Sequence, residues 1–549
     1  MTREEYANFL LPNVEHDYTY YENLFPKREL KEGAMVTRYA PSPTGFIHIG
    51  ALLTCFINSK MARQSDGVFF LRIEDTDQKR EINDGVSKMI EDLEKFNIVF
   101  DEGVTKEGDK GSYGPYTQSM RKDIYMAFAK KLIIEDKAYP CFCSEEDNNK
   151  TREEQTQSKQ RTGYYGPWAK CRSLTMEEAI EKINNGEKYI IRLKSNGDFN
   201  KKITIKDLIK GKSEMPENDQ DIIIIKSDGL PTYHFAHAVD DHLMGTTHVI
   251  RGEEWYPSLP LHLELFRLLG FKAPKYAHIS PLMIEDNGKR RKISKRKDPE
   301  AAISFYHEKG IPNEAIMLYL ETVANSNFEM WLEQNKYQNP EEFKLEFSKM
   351  SVGGTMFDYG KLINISKNYI SRLSAEKVYD LSLEYAKEYD QEFALLLEKY
   401  KDYSIKIFNI EREQKKPRKD IAYFGDVKNG IYYMYDELFD EDNYEWQNIT
   451  DNNEKELILN TYLNEYYNTS DDKDTWFNKM KECAEKLGYA SDMKAYKENP
   501  DNFKGNITDI SMVLRVALTT KSMTPDLYDI MKLLGKERMK KRALIALQK

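Results

Sequence analysis

GAMVTRYAPSPTGFIHIGALLTCFINSKMARQSDGVFFLRIEDTD, residues 33–77, changes its period three times. Residues 33–45 read as a strand that runs into a Pro/Gly turn. Residues 48–67 space their apolar side chains as a helix does and stop at Asp66–Gly67. Residues 67–77 read as a second strand, and a charged helix follows through residue 96. Strand, helix, strand, helix predicts a Rossmann-like parallel α/β sheet, because parallel neighbours need helical crossovers. Such sheets bind ligands at the carboxyl ends of their strands. Arg38 and Glu74 end the two strands and Arg251 sits in HVIRGEEW, so all three are expected to converge at one sheet edge.

The rhythm breaks over residues 114–229, which hold a Cys-x-Cys pair, the polar run 145–163 and the short strand pattern KYIIRLK. This segment reads as an insertion between a first half-domain, 35–113, and a second, 230–300. Residues 1–34 read as an extension ahead of the first strand. Beyond residue 300 the pattern is almost entirely helical, as in residues 376–400, and divides into 301–372 and 373–549. With 549 residues, 40% of them hydrophobic, the chain is expected to fold as three to five domains. It has no long apolar run and its N-terminus lacks the pattern of a secretory signal. Five cysteines, an odd and sparse set, point to a reducing compartment, so a cytoplasmic location without membrane contact is expected. A net charge of -10 argues against nucleic-acid binding only if basic residues are evenly spread, since binding follows the local field.

Two motifs carry phosphate chemistry. His48-Ile49-Gly50 opens a helix whose N-terminus offers free N–H groups to an anion. Lys292-Ile293-Ser294-Lys295-Arg296 is a cationic loop able to stabilise the charge of departing pyrophosphate. Alone, each also fits a capped histidine or a solvated basic run. Together with LRIEDTD and PTYHFAHAVDDHLMGTTHVIRGEEW (231–255), they make the chain resemble the glutamyl-tRNA synthetases, class I enzymes of bacterial type. VLRVALTTKSMTPDLYDIMKLLGKERM (513–539) extends the resemblance nearly to the C-terminus. Ala51 stands where the HIGH-like segment of class I enzymes ends in a second histidine, a departure common among glutamate-specific members.

The resemblance implies glutamate–tRNA ligase activity: ATP with Mg²⁺ and glutamate give glutamyl-AMP, and glutamate then passes to the terminal adenosine of tRNA(Glu). It implies that Arg38, Ala40, Ser42, Glu74, Tyr233, His237 and Arg251 surround glutamate. His237 stands where the family often has asparagine. His48, Gly50, Glu254, Trp255, Met283, Lys292, Ser294 and Lys295 would hold ATP, with His48, Lys292 and Lys295 acting in catalysis. The insertion would bind the tRNA acceptor end, residues 301–372 the stem, around Phe357, Asp358, Lys361 and Leu362, and residues 373–549 the anticodon. Some relatives carry a zinc knuckle that would map onto Cys141, Cys143, Tyr165 and Cys171; the other reading is three thiols without metal. A monomer is the family default, and tRNA(Gln) stays open as a second RNA substrate. Glutamine–tRNA ligases are the near competitors, but they typically read PEPNG where this chain has PSPTG. They usually lack the arginine at Arg251, and they end in β-barrels rather than helices. A non-catalytic RNA-binding paralogue is the remaining alternative, at odds with the intact His48, Gly50, Lys292, Ser294 and Lys295.

Overall fold

The computed structural model describes residues 1–43, 47–77 and 84–548. The tip of the PSPTG turn and residues 78–83 of the expected charged helix lie outside the described residues. The chain forms two compact units: Met1–Ile303 with Met317–Asp358, and Ser304–Ile316 with Tyr359–Lys549.

In the first unit, β1 (Val36–Tyr39), α1 (Ile49–Gln64) and β2 (Val68–Leu71) follow the predicted order. Gly67 is required between α1 and β2, because a Cβ there would lie 2.0 Å from the Met35 carbonyl oxygen. Then come β3 (Glu102–Thr105), β4 (Lys202–Asp207), α2 (Tyr233–Leu243), β5 (His248–Gly252), α3 (Leu259–Leu269) and β6 (Lys275–Ile279). β3, β2 and β1 pair in parallel, as do β5, β6 and β4. The two halves are joined where Thr247 N donates to the Val36 carbonyl at 3.1 Å and Val36 N donates to Thr247 Oγ1 at 2.8 Å. The resulting order of parallel strands, β3-β2-β1-β5-β6-β4, extended at its ends by the antiparallel strands Gly108–Lys110 and Gly211–Pro216, is a Rossmann-like sheet whose strand sequence reverses beside β1, and ligand crevices open at such switch points.

Three boundaries differ from the sequence reading. β4 belongs by position to the 114–229 insertion, yet it pairs with β6 at Asp207 and Tyr276 and so completes the main sheet. Residues 1–34 are more than an extension: Tyr6, Ala7, Leu10 and Leu11 share a core with the helix Lys122–Ile134. Arg28 also holds Glu102 through two 2.8 Å hydrogen bonds. The 301–372 segment is divided between the two units rather than forming one body. The second unit is built of helices around a core that runs from Ile370 to Ala546. Among the described residues, no helix is long and apolar enough to cross a membrane.

The first unit's core is tied by buried charge. Asp241 approaches Arg72 Nη1 at 2.7 Å and Arg38 Nε at 3.4 Å, while Asp240 takes Arg121 Nε at 2.7 Å and the Tyr125 hydroxyl at 2.7 Å. Arg72, Arg121, Asp240 and Asp241 are all essentially inaccessible to solvent. Asp240→Ala should therefore lower stability by about 3–5 kcal/mol, because Arg121 is left buried without a counter-charge. Urea unfolding of the full chain measures this, and a loss under about 1 kcal/mol would mean that Arg121 finds another partner.

Candidate active site

The carboxyl edge of the sheet supplies the walls of one cavity. Arg38 and Ala40 come from β1 and the chain just beyond it, Ser42 from the turn that follows, Glu74 from beyond β2 and Arg251 from β5. Tyr233 opens α2, and Trp255 sits in the short helix Glu253–Ser258 that follows β5. His48, Gly50, Glu254 and Lys292 border the same cavity. Eleven of the fifteen expected site residues thus share one cavity.

His48 caps α1: its Nδ1 accepts from Ala51 N at 3.0 Å. The ring's remaining proton is therefore on Nε2. Burial, with Lys295 and Lys292 nearby, pushes His48 down to about 4, so the imidazole is neutral. A Cβ on Gly50 would press within 3.1 Å of that ring, which explains a glycine in the first turn. The lysine loop is closed by Arg291, which grips Asp298 with two 2.7 Å bonds, while Ser294 N donates to Asp298 at 2.8 Å. Lys292 lies 3.9 Å from Glu254. Burial lowers Lys295.

The two arginines differ. Arg38 has Asp241 beside it. Arg251, 5% exposed, donates to four neutral acceptors: His278 Nε2 at 3.1 Å, Tyr233 Oη at 3.1 Å, His262 Nδ1 at 3.0 Å and, more weakly, the Trp255 carbonyl at 3.5 Å. Among the described residues no carboxylate oxygen lies within 4.0 Å of its guanidinium. Trp255 packs on Tyr233 with ring centroids 4.1 Å apart. Glu74 receives Arg72 Nη2 at 3.0 Å; burial raises its pKa against the pull of Arg72 and Arg38.

Four expected residues do not line the cavity: His237, Met283, Ser294 and Lys295. His237 is a correction. It is fully buried behind Tyr233, with Nδ1 2.6 Å from Asp241 and Nε2 3.1 Å from the Tyr276 hydroxyl. Burial pushes it down to about 3, so it brings no charge to the pocket. Met283 pairs with Lys292 on the neighbouring strand and follows Leu282, which does line the cavity. Arg72, Asp241, His262 and His278 were missed. The pair Asp240-Asp241 inside an apolar helix was the one available signal, since two buried carboxylates require buried cations.

Away from the cavity, the sulfur atoms of Cys141, Cys143 and Cys171 lie within 4.8 Å of one another. The Tyr164 hydroxyl, not that of Tyr165, is the fourth group: it is 3.3 Å from both Cys141 and Cys143. Tyr165 turns the other way and donates to the Arg161 carbonyl at 2.7 Å, which corrects the expected ligand set.

Residues 34–351 match the model of tRNA synthetases class I (E and Q), catalytic domain, and residues 392–547 match an anticodon binding domain. A glutamate–tRNA ligase of Clostridium perfringens (strain 13 / Type A) is 48% identical over 546 residues, covering 99% of this chain and 100% of the relative. The chain belongs to the glutamate–tRNA ligase family. A Sorangium cellulosum (strain So ce56) relative of the same name is 42% identical, covering 95% of this chain and 96% of its own. Among solved structures, a glutamate tRNA ligase from Elizabethkingia meningosepticum CCUG26117, in complex with its amino acid, superposes with a TM-score of 0.74. It is 26% identical and covers 94% of this chain and 99% of its own. A class I synthetase fold with a parallel-sheet catalytic domain is thus common to the family and this chain.

Buried neutral histidines make the family member's stability depend on pH. His48, His234 and His248 are pushed down to about 4 by burial, and His237 to about 3. Unfolded, each titrates near 6.5, at about that reference value. Between the two values the unfolded chain binds protons that the folded chain does not. Stability is therefore full above about pH 6.5 and falls as pH drops toward 4, by about 1.4 kcal/mol per pH unit for each histidine. Thermal unfolding between pH 7.5 and 5 should show the decline beginning near 6.5, above the carboxylate range; an unchanged Tm over that interval would refute it.

Proposed function

We propose that the chain joins glutamate to tRNA: glutamate and ATP give glutamyl-AMP and pyrophosphate, and the terminal ribose hydroxyl of tRNA then takes the glutamyl group and releases AMP. The observation that carries the amino-acid assignment is Arg251, a buried guanidinium in the cavity wall with only neutral partners among the described residues. A carboxylate side chain supplies the missing counter-charge with charge-assisted hydrogen bonds. A glutamine amide would leave the cation uncompensated, at a cost of about 3–5 kcal/mol.

In this reading Arg251 takes the side-chain carboxylate, Arg38 the other carboxylate, and Glu74 the α-amino group. Ala40, Ser42 and Tyr233 shape the pocket between them. The α-carboxylate oxygen attacks the α-phosphorus of ATP and pyrophosphate leaves. His48 donates from Nε2 as a neutral group, so the positive charge at the phosphates comes from Lys292, Lys295 and the Mg²⁺ that arrives with ATP. Gly50, Glu254, Trp255, Met283 and Ser294 form the nucleotide's surroundings. The protein then positions the ribose hydroxyl rather than attacking itself. The tRNA is the glutamate acceptor, with tRNA(Gln) as the second candidate. Work as a cytoplasmic monomer belongs to the same reading, in keeping with the resemblance and five unpaired cysteines.

The test is ATP–pyrophosphate exchange with glutamate or glutamine, each with and without bulk tRNA. Exchange with glutamate, and only in the presence of tRNA, is expected. A preference for glutamine would remove Arg251 from its role, and no exchange under any condition would leave an RNA-binding paralogue. Aminoacylation of separated tRNA(Glu) and tRNA(Gln) decides the RNA range.

We also infer a structural zinc at Cys141, Cys143 and Cys171 with Tyr164 in the fourth position. Three thiolates suit this metal, and the 3.6 Å between Cys143 and Cys171 sulfurs is close to the edge of a tetrahedron with Zn–S bonds of about 2.3 Å. The zinc would cross-link the knuckle and take no part in the reaction. Elemental analysis should find one zinc per chain, lost in Cys143→Ala and kept in Tyr165→Phe. Tyr164→Phe should weaken retention against a chelator. Protein purified without chelator that carries well below one zinc would end the inference.

A further inference from the structure

We propose that His262 and His278 are specificity-determining positioning residues: as neutral acceptors they hold the Arg251 guanidinium in place without neutralising it. The proposal rests on the reading of the cavity as a glutamate site.

An arginine only donates. Because Arg251 Nη2 lies 3.0 Å from His262 Nδ1 and Nε lies 3.1 Å from His278 Nε2, both of those nitrogens present lone pairs. The tautomers follow. His262 carries its proton on Nε2 and donates to His234 Nδ1 at 2.9 Å; His278 carries its proton on Nδ1 and donates to Asp207 Oδ2 at 2.7 Å. Both rings are fully buried, and burial lowers the pKa of each, which keeps them in the acceptor form.

The geometry separates charge from counter-charge. Asp207 is the carboxylate connected to this cluster, and the His278 ring stands between it and Arg251. Arg38, by contrast, has Asp241 at 3.4 Å. A buried arginine is ordinarily fixed by a carboxylate, which gives geometry and cancels charge together. Here two imidazoles, the Tyr233 hydroxyl and the Trp255 carbonyl give the geometry without cancelling the charge. The uncancelled charge is then available to the ligand, and the preference for a carboxylate over an amide side chain is set by the rings behind Arg251 as well as by Arg251 itself.

Substitutions that differ in charge but not in size test this. Asparagine at position 262 offers a neutral oxygen near the place of Nδ1; aspartate offers a charged one. In tRNA-supported pyrophosphate exchange, His262→Asn should keep the glutamate-over-glutamine ratio of kcat/KM within about fivefold of the unaltered protein. His262→Asp should lower that ratio at least about a hundredfold, through glutamate, with KM for ATP changed less than about threefold. His278→Gln and His278→Glu repeat the comparison at Nε and decide the matter if the first pair unfolds. Equal ratios within each pair overturn the proposal. In the unaltered protein, histidine ¹⁵N shifts reporting a protonated His262 or His278 at neutral pH overturn it as well. Arg251→Gln separates the two levels. If it leaves glutamate activation intact, the reading of the pocket fails. If it abolishes glutamate activation while the charge swaps are silent, the pocket reading stands and the imidazoles only pack.

Discussion

Asp240 and Asp241, adjacent on one helix and sealed from water, take three buried arginines between them. Side chains of consecutive helical residues diverge by about 100°, so the pair faces two directions at once. Asp241 reaches the β1 and β2 ends through Arg38 and Arg72, and Asp240 reaches the helix Lys122–Ile134 through Tyr125 and its N-terminal flank through Arg121. Unpaired charge is costly at that depth, so α2 has one register against its neighbours. That register sets the cavity. Arg38 is held by Asp241, Glu74 by Arg72, and Tyr233 is brought to the mouth at the start of the same helix.

Much of this was legible because the signals are local. Period changes over residues 33–77 give strand, helix and strand, and residues at their ends must meet at one edge. Arg38 and Glu74 are legible that way, while Arg251 is placed at the same edge by its position in HVIRGEEW once the α/β pattern is carried into residues 230–300. His237 was misplaced for a geometric reason. Tyr233, His237 and Asp241 are spaced four apart on one helix and form a stripe; it begins at the cavity and ends in the core, so the middle residue belongs to the core. Burial then settles its charge: Asp241 pulls it toward protonation, but desolvation is larger. Tyr164 and Tyr165 are adjacent and point apart, and counting residues between cysteines does not say which one turns inward. The side taken by Tyr165 is set by Arg161, whose guanidinium carbon lies 4.4 Å from its ring. The pairing of β4 with β6 joins residues about seventy apart and leaves no local pattern at all.

The cavity treats its two charged regions in opposite ways. Around the lysine loop, His48 is neutral with its proton on Nε2, and the cations are long side chains, Lys292 being more than half exposed. Around Arg251, the cation is buried and held from four sides, and every acceptor it meets among the described residues is neutral. On the proposed reading, a departing pyrophosphate meets a charge that can follow it, and a side-chain carboxylate meets one that stays where it is.

Asp207 closes β4, a strand that sequence order assigns to the insertion, and it is also the residue that orients His278. The catalytic domain is therefore not a self-contained cassette. A chimera that exchanged residues 114–229 for the corresponding segment of a relative would carry off the sixth parallel strand of the sheet and, with it, the anchor of the His278 imidazole behind Arg251. Sequence change in the 114–229 insertion can accumulate around β4 but not through it, because that one strand holds His278 behind Arg251 as well as a place in the sheet.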